Sequence, residues 1–121
     1  MRNIIAFLLL ALCPFTLSAN DFFGDYQYTT PGRVAETAQG NTVALDRLLV
    51  VFHLDASISQ ELVYQLAKST QSSVLGRVSQ ANGYVFSVNA NDLEELVLYM
   101  EHYKQFAEYV NVVVPDVIVS Q

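Results

Sequence analysis

Two histidines, His53 and His102, are the natural candidates for acid–base chemistry, because imidazole is the side chain whose charge ordinarily changes near neutral pH. Neither has a partner motif. His53 lies in the apolar run Leu48-Leu49-Val50-Val51-Phe52-His53-Leu54, where it reads as a packed or edge side chain. His102 follows Glu101 late in a helical pattern, where a cation near the helix C-terminus is mildly favoured. The neighbouring carboxylates Glu94 and Glu95 read as a solvated helix start. No cysteine pair, His-x-x-x-His or calcium-spaced Asp loop is present, so no metal site is expected. Gly76 and Gly83 are isolated and make no phosphate-binding loop. The residues therefore predict no catalytic site and no cofactor, and an activity exerted by binding.

The elements that would carry such binding begin after a leader. Arg2, the apolar stretch from Ile4 to Leu12, and Leu17-Ser18-Ala19 before Asn20-Asp21 have the order of a secretory signal peptide, with cleavage expected after Ala19. The apolar run is too short to span a bilayer, which takes roughly 20 residues, and Pro14 breaks it. Cys13, the single cysteine, leaves with the leader, and the bulky Leu12 before it argues against lipid attachment. The expected product is exported, periplasmic or secreted, and stabilised without disulfides.

From Asn20 onward twelve acids stand against five bases (Arg33, Arg47, Lys68, Arg77 and Lys104), a net charge of −7. That balance argues against nucleic acid or an anionic membrane as partner, since both need a basic footprint. Tyr84-Val85-Phe86 also lacks the flanking basic and glycine residues of an RNA-stacking strand.

Three segments are predicted: a leader at 1–19, a flexible N-terminal arm at 20–44, and a folded domain at 45–121. The arm contains Gly24, Pro31, Gly32 and Gly40, and an aromatic cluster, Phe22, Phe23, Tyr26 and Tyr28, able to dock on the domain or on a partner. In the domain, the run around Leu48 reads as a central strand. Ser57 and Gln60 have capping-box spacing before a helix whose Ile58, Leu62, Val63 and Leu66 share a face. Residues 74–79 and 84–89 read as a hairpin turned by Asn82-Gly83. Asn91 and Glu94 are placed to cap a second helix carrying Leu93, Leu96, Val97, Met100 and Tyr103. Residues 110–114 form a last strand stopped at Pro115-Asp116, and 117–121 run out as an extended tail, or else continue the strand to the terminus. This order predicts an α+β, ferredoxin-like βαββαβ sandwich, a four-stranded antiparallel sheet with two helices on one face. Its other face, uncovered and partly apolar, is a candidate protein interface.

Over residues 48–121 the chain resembles the propeptide of subtilisin-like serine proteases, the domain also found as free-standing inhibitors of the I9 type. The resemblance rests on Leu49-Val50-Val51-Phe52, the Val74-Leu75-Gly76-Arg77-Val78 and Gly83-Tyr84-Val85-Phe86-Ser87-Val88 hairpin, Leu93-Glu94-Glu95-Leu96, and Val110-Asn111-Val112-Val113-Val114-Pro115-Asp116. It implies an inhibitor or intermolecular chaperone whose open sheet face packs on two helices of a protease, with the C-terminal tail in the substrate cleft. Gln121 would then lie next to the catalytic serine, preceded by Ser120 and Val119, with Ile118 in an apolar fourth pocket. Asp116 would cap a protease helix at its N-terminus, a contact worth about 0.3–2 kcal/mol. The family often carries a second acid two positions earlier, where this chain has Val114.

Two other classes compete. A non-catalytic assembly module of the cell envelope would use the same sheet face and keep its association after loss of residues 117–121. A small enzyme on the same scaffold would need a polar cluster and would respond to replacement of His53 and His102.

Overall fold

The computed structural model describes residues 23–118. In chain order these form β1 (Val34–Glu36), β2 (Thr42–Phe52), α1 (Gln60–Ser69), β3 (Ser73–Val78), β4 (Gly83–Ser87), α2 (Leu93–Lys104) and β5 (Val110–Ile118). The architecture is α+β: two helices and a five-stranded antiparallel sheet. β2 is its hub, pairing with β4, with β5 and, at its first residues, with β1.

The alternating environment of β2 explains that position. Leu48, Val50 and Phe52 are essentially fully buried and share one core with Phe86 of β4, Val63 and Leu66 of α1, and Leu96 and Tyr103 of α2. Each such side chain contributes about 1.5–3 kcal/mol when taken out of water. The rings of Phe86 and Tyr103 meet at 5.0 Å, tying sheet to helix. The Tyr103 hydroxyl donates to Ser72 Oγ at 2.7 Å. Burial pushes that phenol's pKa above its ordinary value, because the charged form would lose its water. Arg47, Leu49 and Val51 project from the opposite face of the same strand.

Three expectations need adjustment, and a fourth, the Asn82-Gly83 turn, is met with a difference of detail. The sheet has five strands, because Val34–Glu36, inside the segment read as an arm, pairs with the start of β2. The cap of α1 is Ser59, whose hydroxyl accepts from Leu62 N at 3.0 Å; Ser57 lies two residues before it and Gln60 is the first helical residue, so the pair does not form the capping box. The cap of α2 is Asp92, one residue beyond Asn91: its carboxylate accepts from Glu95 N at 2.9 Å, while Glu95 reaches back to the Asn91 backbone N–H at 2.9 Å. In the β3–β4 turn it is Asn82 that takes the left-handed conformation (φ 54°), its amide donating to the carbonyls of Phe52 and His53. Gly83 is needed for a different reason: a Cβ there would collide with the Val50 carbonyl across the ladder.

The last strand also runs further than 110–114. β5 passes through Pro115 and ends with Val117 opposite Val43 and Ile118 opposite Thr42. Proline is tolerated because β5 is an outer strand that pairs only with β2 among the described residues, so its missing N–H costs no ladder bond on the free side. The continuation is achieved by a break in register between Val43 and Leu48 of β2.

Candidate functional site

That break in register shapes the helix-free side of the sheet. Around it β2 turns its backbone to other partners: Leu45 N donates to Arg33 O, and Asp46 O accepts from Val88 N. Arg47 there pairs with its neighbour Asp46 and shares a cavity with Leu49, Val85 and Val114. Val114 and Val112 lie opposite Leu49 and Val51, placing both on this face, where they remain 36% and 42% exposed.

Arg47 is the centre of the arrangement, its side chain only 3% exposed. Its Nε donates to Asp46 Oδ1 at 3.0 Å, and its Nη1 donates to the Tyr26 hydroxyl and to the Thr29 carbonyl, both at 2.6 Å. The Tyr28 ring lies over the guanidinium at 5.5 Å. Partial burial works against a charged Asp46, but the hydrogen bonds from Arg47 and Gly32 and the Arg47 charge outweigh it, holding the carboxyl below its ordinary value of 3.8. For Arg47, burial opposes the charge and the bonds to Asp46 and Tyr26 more than restore it, so its pKa is raised.

Phe23, Tyr26 and Tyr28 therefore dock on the domain, while Phe22 lies outside the described residues. Tyr26 N donates to Arg77 O and Arg77 N to Gly24 O, so residues 24–26 run beside the outer edge of β3, with Asp25 3.3 Å from Arg77 Nη2. Phe23 meets Tyr84 edge-on at 6.0 Å. Gly76 makes the crossing possible: a Cβ at that position would collide with the Tyr26 backbone. Further along, Gly32 N donates to Asp46 Oδ2, and Arg33 donates to the Ala90 carbonyl and to Asn89 Oδ1. Between this segment and the sheet remains a cavity of about 190 Å³ whose walls include Tyr26, Tyr28, Leu49, Val85 and Asp116.

The residues assigned from sequence fall as follows. Asp116 lies in β5 with Oδ2 3.9 Å from Arg47 Nη1, and that oxygen accepts no hydrogen bond. Ile118 is the last paired residue of β5, half-buried against the start of β2. Val119, Ser120 and Gln121 lie outside the described residues. His53 sits just past the end of β2, its Nε2 3.0 Å from the Ala107 carbonyl, and His102 is exposed in the last turn of α2. Glu94 and Glu95 stand in the first turn of α2. Among the described residues no three His, Cys, Asp or Glu side chains are grouped as a metal site, and no helix is long and apolar enough to cross a membrane.

Sequence reasoning did not single out Asp46, Arg47, Tyr26 or Thr29 as a cluster. The available signal was an Arg-Asp pair at the entrance of an apolar strand, together with an aromatic segment that had no strand or helix of its own. Compared with known family models, curated proteins and solved structures, the chain matches none of them.

Proposed function

We propose that this chain is an exported, non-catalytic binding protein of ferredoxin-like βαββαβ topology that inhibits, or assists the folding of, a subtilisin-like serine protease through its helix-free sheet face and C-terminal tail. The observation that carries this reading is the strip formed by Val112, Val114 and Asp116 on an outer strand: two half-open valines on the helix-free face, followed by a carboxylate oxygen with no hydrogen bond. Such a strip suits a partner helix, the valines giving apolar burial; Asp116 Oδ2 is itself buried beside Arg47, so the carboxylate accepts from the N–H groups of the helix N-terminus only once its cover is displaced. Residues 119–121 follow directly, and a tail of this kind would enter the substrate cleft as an added strand. For Ile118 to fill an apolar pocket there, its pairing with Thr42 has to open.

The test is a titration of the chain beginning at Asn20 against secreted subtilisin-like proteases, following hydrolysis of a small peptide substrate. Inhibition lost on deleting residues 119–121 is the expected outcome; no inhibition of any member of the panel, including one from the same organism, rejects the reading. A second reading, an envelope assembly module, is favoured by one observation, the unpaired outer edge of β5 among the described residues. It predicts concentration-dependent self-association that survives the same deletion.

A further inference from the structure

The docked aromatic segment lies on the face just assigned to a partner. Val85 shows that it covers the part of that face over β4: the residue projects to the helix-free side, yet it is only 6% exposed, and the groups sharing its cavity include Tyr26 and Tyr28, while Val112 and Val114 stay half-open beside it. A sheet face without helices over it gets that degree of burial from some other cover, and residues 23–29 supply it. We infer that residues 23–29 form an intramolecular strap that covers part of the partner-binding face, the part holding Val85 and Asp116, and that a partner docking there displaces it. The inference rests on the reading of this face as the interface.

The strap has the chemistry of a reversible contact. Of its aromatic rings Phe23 packs at the rim of the core, edge-on to Tyr84, whereas Tyr28 remains 59% exposed. Its polar anchors are the Tyr26 hydroxyl and Thr29 carbonyl on Arg47, two backbone hydrogen bonds to Arg77 and the Asp25–Arg77 ion pair. When it leaves, these groups regain water, so opening strands no buried charge. Arg47 then faces the incoming partner with free donors, next to the Asp116 carboxylate. Local openings of this kind cost far less than global unfolding. A partner that needs the open form binds with its affinity reduced by the fraction of molecules that are open.

Gly76 offers a release. A Cβ there meets only the backbone of residues 25 and 26 among its nearest neighbours, so Gly76→Ala expels the strap, at the cost of the Phe23 contact at the rim of the core. A second release variant, Tyr26→Ala with Tyr28→Ala, removes the cover without altering the sheet. In a Cys13→Ser background, Val85→Cys provides a single thiol under the strap, and its labelling rate by a small thiol reagent reports the open fraction. The expected result is labelling about tenfold or more slower with the strap intact than in either release variant. In molecules without the cysteine, inhibition of a sensitive subtilisin should strengthen by the same factor.

Equal labelling in intact and released chains overturns the strap, as does slow labelling in both release variants while they remain folded by circular dichroism. Fast labelling on release with unchanged inhibition overturns the displacement and leaves the inhibitor reading standing. Fast labelling on release with no inhibition by any form upholds the strap as a cover and rejects the protease as the partner.

Discussion

Arg47 is an unusual residue to find on a central strand, because its neighbours on that face, Leu49 and Val51, are apolar and a guanidinium is costly to bury unpaired. It is tolerated because every direction it faces holds an acceptor or a ring: Asp46, Tyr26, Thr29, Tyr28 and, at 3.9 Å, Asp116. Asp46 joins this cluster to Gly32, so its ionisation is felt by the segment leading into β1. Its carboxyl pKa is depressed in the fold, so the stabilisation it provides is complete above the ordinary value of 3.8 and is lost as pH falls through the lower, folded value. The Gly32 amide chemical shift should accordingly titrate with a midpoint below 3.8, and Asp46→Asn should abolish the transition. A midpoint at or above the ordinary value would show that the Arg47 pairing does not reach the carboxylate in solution.

At the scale of elements, capping and register matter more than propensity. α2 presents Leu93, Leu96, Met100 and Tyr103 to the core while Val97 and Leu98 stay 45% and 64% exposed, so its packing stripe is narrow and its N-terminus must be held. Asp92 does this, with Glu95 closing the loop back to Asn91. Replacing Asp92 by Ala should cost about 1 kcal/mol in urea unfolding, with the denaturant slope unchanged. The same substitution at Asn91 should cost less, because its backbone N–H, which Glu95 accepts from, is retained. β5 gives the complementary lesson. Pro115 reads as a stop in the sequence, but a proline blocks a strand only where its N–H would be in the ladder, and on an outer strand one side is free. Whether β5 continued could be settled only by what lay beside residues 117 and 118, and the shifted register of β2 brings Val43 and Thr42 there.

For the whole molecule, one core between the helices and one face of the sheet carries the stability. Phe86 is its centre, fully buried on β4, paired with Leu48 of β2 and Val74 of β3, and in contact with Tyr103 of α2. Phe86→Ala should therefore destabilise the fold by about 3–5 kcal/mol in equilibrium unfolding. Val114→Ala on the other face, half-open to water, should stay within about 1 kcal/mol. If the two cost the same, the helix-free face is packed as tightly as the core and is not a surface held for a partner.

The local elements were legible because they are written in short-range patterns: the β-branched run of β2, the 3.6-residue spacing of α1 and α2, the Asn82-Gly83 turn and the acids at the start of α2. These depend on neighbours within a few residues and on simple alternation, so sequence alone determined an α+β domain with two helices and antiparallel strands. The strap and the length of β5 were not legible in that way. Arg47 meets Tyr26 across 21 residues and Arg33 meets Ala90 across 57, and neither partner has a local pattern that announces the other. Only through the β2–β4 and β3–β4 ladders together do Arg47, Asp46 and the gap above Gly76 come together as a seat for the aromatic segment. The tertiary structure decided that seat, because burying a guanidinium is favourable only after its acceptors have been brought to it from distant parts of the chain.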